Sequence, residues 1–178
     1  LESNGIPVAP WRPVTNHDEL TRAAEELRYP LRLKASVGGY DGRRQVRIAS
    51  DADLRAATVE GPALLEKELA FEFELSVVVG RGTDGVTTSY APSRNRNNDG
   101  ILVESTVPAG LAPAVEAKAK LLAESLAVAC GLIGVLTAEL FLMPDGSLVV
   151  NELAPRVHNS GHWTIEGAVT SQFEQHVR

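Results

Sequence analysis

The sequence predicts an α+β protein arranged as two lobes. Apolar alternation at period two recurs in short runs that can pair as hairpins, and two longer stretches carry apolar residues at helical spacing. A length of 178 residues suits one domain of ordinary size or two small lobes sharing a core. The apolar fraction of 44% and charged fraction of 22% lie near the globular average, which argues against disorder and fibrous repeats. No apolar run approaches the roughly 20 residues that cross a bilayer, and the polar start Leu1-Glu2-Ser3-Asn4 is unlike a signal peptide. The single cysteine, Cys130, excludes an internal disulfide and points to a reducing, cytoplasmic compartment. A formal charge of −6 argues against a nucleic-acid binder. The lone Met143 and a closing run, Phe173 to Arg178, that reads as an interrupted helix suggest a segment of a longer protein.

The smaller lobe is expected over residues 1–68. Gly5-Ile6-Pro7-Val8-Ala9-Pro10 is an extended, proline-stiffened lead-in. Thr15 or Asn16 can cap a helix from about His17 to Arg28, with Glu19 placed for a capping box and Leu20, Ala23, Ala24 and Leu27 as its apolar stripe. Leu31 to Ala35 alternates as a strand, Val37 to Gly42 is a glycine-rich loop, and Gln45 to Ala49 alternates again. Ser50 or Asp51 caps a short helix before a third strand, Ala63 to Glu66.

The larger lobe is expected over residues 69–178. Phe71 to Val79 is rich in β-branched and aromatic residues, and a turn at Gly82-Thr83-Asp84-Gly85 returns it through Val86 to Tyr90. Ile101-Leu102-Val103 is a further short strand. The longest helical signal runs from Pro113 to Cys130, with proline in its first turn and Gly131 just beyond its end. Two strands, about Val135 to Met143 and Leu148 to Glu152, flank Pro144-Asp145-Gly146, and a polar loop and a closing helix follow.

Chemistry concentrates in four places. A turn centred on Asp145-Gly146 sets Glu139 opposite Glu152, and like charges facing across a ladder destabilise unless solvated or bridged by a cation. With Asn151 nearby, the pair suits Mg²⁺, which takes one or two carboxylates and completes its shell with phosphates and water. Two exposed glutamates on an edge is the alternative. Lys34 ends a strand before Gly38-Gly39-Tyr40-Asp41-Gly42, where Arg43 and Arg44 could grip oxyanions, although the loop matches neither common phosphate-binding fingerprint and also reads as a hairpin tip. Glu66-Lys67-Glu68-Leu69 is an extended connector that could offer backbone groups to a planar base, with Glu74 as an acceptor for ribose hydroxyls; a solvated charged linker fits equally. The stretch Pro155 to Thr164 packs Arg156, His158, Asn159, Ser160 and His162 together. Zinc at His158 and His162 lacks a third ligand, and Ser160 lacks a nucleophile elbow, so a polar loop that orients a substrate fits best.

Lys34, the run Gly38 to Arg43, Asp99-Gly100-Ile101-Leu102 and the long stretch Asn151 to Thr164 together resemble the 5-(carboxyamino)imidazole ribonucleotide synthetases. These are ATP-grasp ligases of purine biosynthesis. The similarity covers nearly the whole chain and corresponds to the ATP-grasp core without the family's flanking N- and C-terminal domains. It implies an ATP-grasp fold with a nucleotide cleft between two α+β lobes. It also implies a reaction in which ATP and bicarbonate form carboxyphosphate and the amine of 5-aminoimidazole ribonucleotide captures the carboxyl group.

By position, the resemblance makes Lys34 a phosphate contact and Gly39, Gly42, Arg43, Arg44 and Gln45 parts of a lid over the phosphates. Glu66, Lys67, Glu68 and Leu69 become the adenine hinge, Glu74 the ribose acid, and Asn97 a residue beside the nucleotide. Glu139 and Glu152 become ligands of Mg²⁺ or Mn²⁺, with Asn151 alongside Glu152 at the phosphates. Tyr40, Asp41, Arg43, Arg156 and His158 would face bicarbonate and the imidazole substrate. A homodimer is implied for the full-length protein. Two positions depart from the family pattern: Arg44 stands where glycine is common, and Asn97 where a histidine is frequent, so that this site can hydrogen-bond but not titrate near neutrality. A related ligase with another acceptor and a non-catalytic nucleotide-binding module are the alternatives.

Overall fold

The computed structural model describes residues 5–37, 45–98 and 100–178. Gly39, Tyr40, Asp41, Gly42, Arg43 and Arg44, named above for the lid and the substrate, lie outside the described residues, as does Asp99. The chain forms two compact units: Ala9–Ala70, and Phe71–Arg178 together with the N-terminal residues through Val8. The sequence predicts residues 5–8 to lie in the smaller lobe. They belong instead to the larger unit, because the Val150 N–H donates to the Pro7 carbonyl at 2.8 Å and Val8 bridges Val150.

In the smaller unit, β1 (Trp11–Val14), β2 (Leu31–Ala35), β3 (Gln45–Ile48) and β4 (Ala63–Lys67) form an antiparallel sheet in the order β1-β4-β2-β3. Strand β1 contains Pro13, which cannot donate to a ladder, and it lies at the edge, where such a residue is tolerated. Two helices, α1 (His17–Leu27) and α2 (Asp51–Ala56), supply Leu20, Ala23, Ala24 and Leu54 to a core with Val14, Leu31, Leu33, Ile48 and Leu65. Residues i and i+2 share a strand face. The face opposite the core therefore carries Arg32, Lys34, Arg47 and Glu66.

The start of α1 shows why the chain turns helical there. Asn16 Oδ1 accepts the Glu19 N–H at 2.9 Å, and the Glu19 carboxylate accepts from the Thr15 N–H and hydroxyl at 2.7 and 2.8 Å. The reciprocal bond thus reaches one residue beyond the cap. Asn16→Ala is expected to cost about 1 kcal/mol, read as a lowered urea midpoint with an unchanged slope.

In the larger unit, β5 (Phe73–Arg81) is the central strand. It pairs with β6 (Thr87–Ser89), β7 (Ser93–Asn98) and β9 (Gly134–Leu142), while β8 (Ile101–Thr106) extends the sheet beyond β7 and β10 (Leu148–Ala154) beyond β9. All of these ladders are antiparallel. Helix α3 (Pro113–Ala129) lays Ala119, Ala123, Leu126 and Ala127 on one sheet face, against Leu75, Val77, Val79, Leu136, Ala138 and Leu140. The three alanines among these residues permit close approach of helix and sheet. Strand alternation then forces Glu74, Ser76, Glu139 and Phe141 onto the other face, where a 3-10 turn at Asn159–Gly161 and α4 (Thr164–Gly167) and α5 (Gln172–Val177) follow β10 in the chain. Among the described residues, no helix is long and apolar enough to cross a membrane.

Strand β7 was not expected. Its sequence, SRNRNN, contains no apolar or β-branched residue. It is a strand because it is held between two neighbours and because buried Asn95 binds across them. Asn95 Nδ2 donates to Ser76 Oγ at 2.6 Å, and Asn95 Oδ1 accepts from Ser105 Oγ at 2.9 Å.

Candidate functional site

The hairpin β9–β10 brings the two acids together by an unexpected route. The Met143 N–H donates to the Ser147 carbonyl and the Gly146 N–H to the Met143 carbonyl, both at 2.9 Å, with Gly146 at φ +79°. Asp145 accepts from Ser147 Oγ and N–H at 2.6 and 2.9 Å, bonds that hold its carboxyl below the usual aspartate range. This turn pairs Leu148 with Leu142 and Val150 with Leu140, a register that would set Asn151 against Glu139. A β-bulge between Val150 and Glu152 inserts Asn151 as the extra residue, and Glu152 lands opposite Glu139. The opposition expected from the sequence is present, and the bulge rather than the turn creates it.

Glu139 has a second neighbour. His158 Nε2 lies 2.9 Å from Glu139 Oε1, both side chains being largely buried. The Ser160 N–H points at His158 Nδ1 at 3.3 Å and the Ser160 hydroxyl lies 2.8 Å from the same nitrogen. A backbone N–H can only donate, so Nδ1 is the acceptor and Nε2 carries the proton that Glu139 receives. His162 instead stacks on Phe173, ring centroids 5.9 Å apart. Arg156 is exposed and donates to the Val157 carbonyl at 3.0 Å.

On the same sheet face, Glu74 accepts a hydrogen bond from Asn97 Nδ2, so the structure brings these two expected nucleotide residues together. They line a depression of about 420 Å³ with Phe71, Phe73, Arg94 and Thr106. Its aromatic groups are fixed by contacts of their own. Phe71 stacks on Phe141 at 4.3 Å and 9°, and the Arg94 guanidinium sits 4.1 Å over the Phe73 ring. The buried Ser76, Ser93 and Asn95 hydrogen-bond beneath this face together with the half-buried Ser105, a network the sequence does not reveal; polar residues separated by up to 29 positions leave no local pattern.

The charged face of the smaller unit is ordered by pairs. Lys34 Nζ lies 2.5 Å from Glu66 Oε2, with the two side chains 23% and 16% exposed. Glu68 is shared by Arg32 and Arg47, at 3.3 and 2.9 Å. Arg32 and Arg47 are direct cross-strand partners, so Glu68 offsets their repulsion. Gln45 stands opposite Lys34. The connector is less available than its sequence suggests. Lys67 Nζ donates to the Arg28 and Tyr29 carbonyls at 2.7 and 2.9 Å, closing the end of α1. The Lys67 and Glu68 N–H groups already donate to the Pro10 and Pro30 carbonyls, and Leu69 follows half-buried.

The acid pair could supply two of the ligands of a hard divalent cation. Among the described residues, no cluster of three His, Cys, Asp or Glu side chains could hold a metal unaided. Two opposed carboxylates on a polar face, with an asparagine bulged beside one of them, match the donor set of Mg²⁺, whose remaining positions are filled by phosphate oxygens and water.

Residues 1–173 match the family model described as the ATP-grasp domain. The N5-carboxyaminoimidazole ribonucleotide synthase of Bacillus subtilis is 43% identical over 181 residues, covering 100% of this chain and 48% of that protein. A crystal structure of carboxyaminoimidazole ribonucleotide synthase from Aspergillus clavatus complexed with ATP gives a TM-score of 0.96 at 37% identity, over 100% of this chain and 48% of the other. An Aspergillus clavatus N5-carboxyaminoimidazole synthase in complex with ADP and 5-aminoimidazole ribonucleotide gives 0.92 at 35% identity, over 100% and 47%. The chain thus spans about half the length of the curated relatives it matches.

Proposed function

This chain belongs to the ATP-grasp domain family, and we propose that it is the nucleotide-binding core of a ligase that carboxylates 5-aminoimidazole ribonucleotide. ATP phosphorylates bicarbonate to give carboxyphosphate and ADP. The substrate amine then takes the carboxyl group, forming a C–N bond and releasing phosphate. The relatives' names and the ATP, ADP and 5-aminoimidazole ribonucleotide bound in their structures support this reading. The observation that carries it is the bulged register that sets Glu139 against Glu152, beside His158.

In this reading Lys34, Gly39, Gly42, Arg43, Arg44 and Gln45 neutralise and cover the phosphates. Glu66, Lys67, Glu68 and Leu69 border the base, and Glu74, held by Asn97, accepts from the ribose hydroxyls. Glu139 and Glu152 hold Mg²⁺ or Mn²⁺, with Asn151 beside them. The bound ion would tie the triphosphate to the acid pair and offset its charge. Tyr40, Asp41, Arg43, Arg156 and His158 orient bicarbonate and the imidazole. Phosphoryl transfer asks for positioning and charge neutralisation more than for a covalent nucleophile, and these residues are of the types that supply both. A homodimer of the full-length protein and a cytoplasmic location belong to the same proposal.

The test uses the full-length protein with ATP, Mg²⁺ and bicarbonate. Equal amounts of ADP and carboxylated product are expected only with 5-aminoimidazole ribonucleotide. Equal turnover with other amines would overturn the acceptor, and Mg-ATP binding by calorimetry without turnover would reduce the protein to a nucleotide-binding module.

A further inference from the structure

Gln172, at the start of α5, is the largest fully buried polar side chain among the described residues, and the functional reading has no use for it. Its amide grips a single residue at both ends. Gln172 Oε1 accepts the His158 N–H at 2.9 Å, and Gln172 Nε2 donates to the His158 carbonyl at 2.7 Å. The Gln172 backbone N–H donates to Thr164 Oγ1 at 2.9 Å, and that hydroxyl donates to the Gly161 carbonyl at 2.6 Å. The fit is close. A Cβ on Gly161 would fall 2.3 Å from Gln172 Oε1, so no larger residue can stand there while this grip persists.

These contacts surround a side chain whose ring is also held at both nitrogens, by Ser160 and by Glu139. A ring pinned only at its tips can swing if its backbone drifts. One pinned at backbone and ring alike has a single placement. We propose that Gln172 is a positioning residue: by clamping the His158 backbone from α5, it aims the His158 Nε2–H at Glu139 and so holds the imidazole ready for the acceptor. This inference rests on the reading of His158 as a substrate-facing residue. It assigns to Gln172 no contact with substrate. Its consequence is selective, because the nucleotide-binding residues named above are not among those the clamp touches.

The experiment compares Gln172→Met with the parent in the full-length protein. Methionine keeps the length and volume of the side chain while removing both bonds to His158. The expected result is a kcat for carboxylation lower by about 100-fold, as misplacement of a reacting group gives, with the KM for ATP unchanged. Product should also fall below ADP formed, because the carboxyl group is lost to water. The ¹⁵N signals of His158 should move from a pure Nε2–H tautomer toward a mixture. If Gln172→Met does not melt cooperatively, Thr164→Val, which removes the hydroxyl that holds the Gln172 N–H, should show a smaller loss with the same selectivity. Unchanged kcat and coupling in a folded variant would overturn the proposal, as would a parallel loss of ATP binding and turnover. If the parent does not carboxylate the substrate at all, the functional reading fails instead, and the His158 tautomer still decides whether Gln172 aims the ring.

Discussion

Glu152→Gln is expected to lower carboxylation by the full-length protein by at least about 100-fold, the effect of losing roughly 3 kcal/mol of charge stabilisation at the metal. The fold should not suffer. Glu152 faces Glu139 directly across the β9–β10 ladder, and removing one of two opposed like charges relieves a repulsion worth a few tenths to about 1 kcal/mol. The metal-free variant should therefore melt at or slightly above the parent's temperature. The added stability that Mg-ADP confers on the parent should be largely lost. Measuring the melting shift with and without Mg-ADP checks this independently of turnover. Normal turnover, or an undiminished Mg-ADP shift, would remove Glu152 from the site. Glu139→Gln is a less clean probe, because Glu139 also receives the His158 Nε2–H. A glutamine oxygen can still accept that bond, so its loss of activity should be large, with the His158 ring in place.

Lys34→Ala is expected to weaken ATP binding about 10- to 100-fold, the range of a charge-assisted hydrogen bond worth roughly 1.5–3 kcal/mol. The pair at 2.5 Å with Glu66 adds a second consequence. In the structure the ammonium is already neutralised, so a phosphate must share it or displace the carboxylate. Glu66→Gln should leave ATP affinity equal or improved, since it frees the Lys34 charge while keeping an oxygen acceptor. Calorimetric titration of both variants checks the two signs together. Unchanged affinity in Lys34→Ala would rule out the phosphate contact.

What the sequence made legible follows from how far apart the determinants lie. Helix α1 was readable because its cap, its capping glutamate and its apolar stripe fall within a dozen residues. The α3 boundaries were readable from Pro113 and Gly131. The opposition of Glu139 and Glu152 was readable too, although the turn assumed for it was not the one present. Two departures, an odd-length turn and an inserted Asn151, cancel in the register.

Strand β7 was hidden because its stability comes from neighbours on both sides rather than from its own residues. The Lys67 and Glu68 amides looked available because their acceptors, Pro10 and Pro30, are remote in sequence. Gln172 was invisible for a related reason. Among the polar residues of a short terminal helix, only three dimensions distinguish the one that turns inward to His158.

The bulge at Asn151 also separates two design problems that a plain hairpin would join. Because an inserted residue midway along the ladder sets the frame at the acids, the tip around Asp145 is free to change composition without moving them. Excising Asn151 would close the ladder instead: Glu152 would still stand opposite Glu139 and the later pairs would keep their partners, while the asparagine beside the acids and the local bend of the strand would be lost.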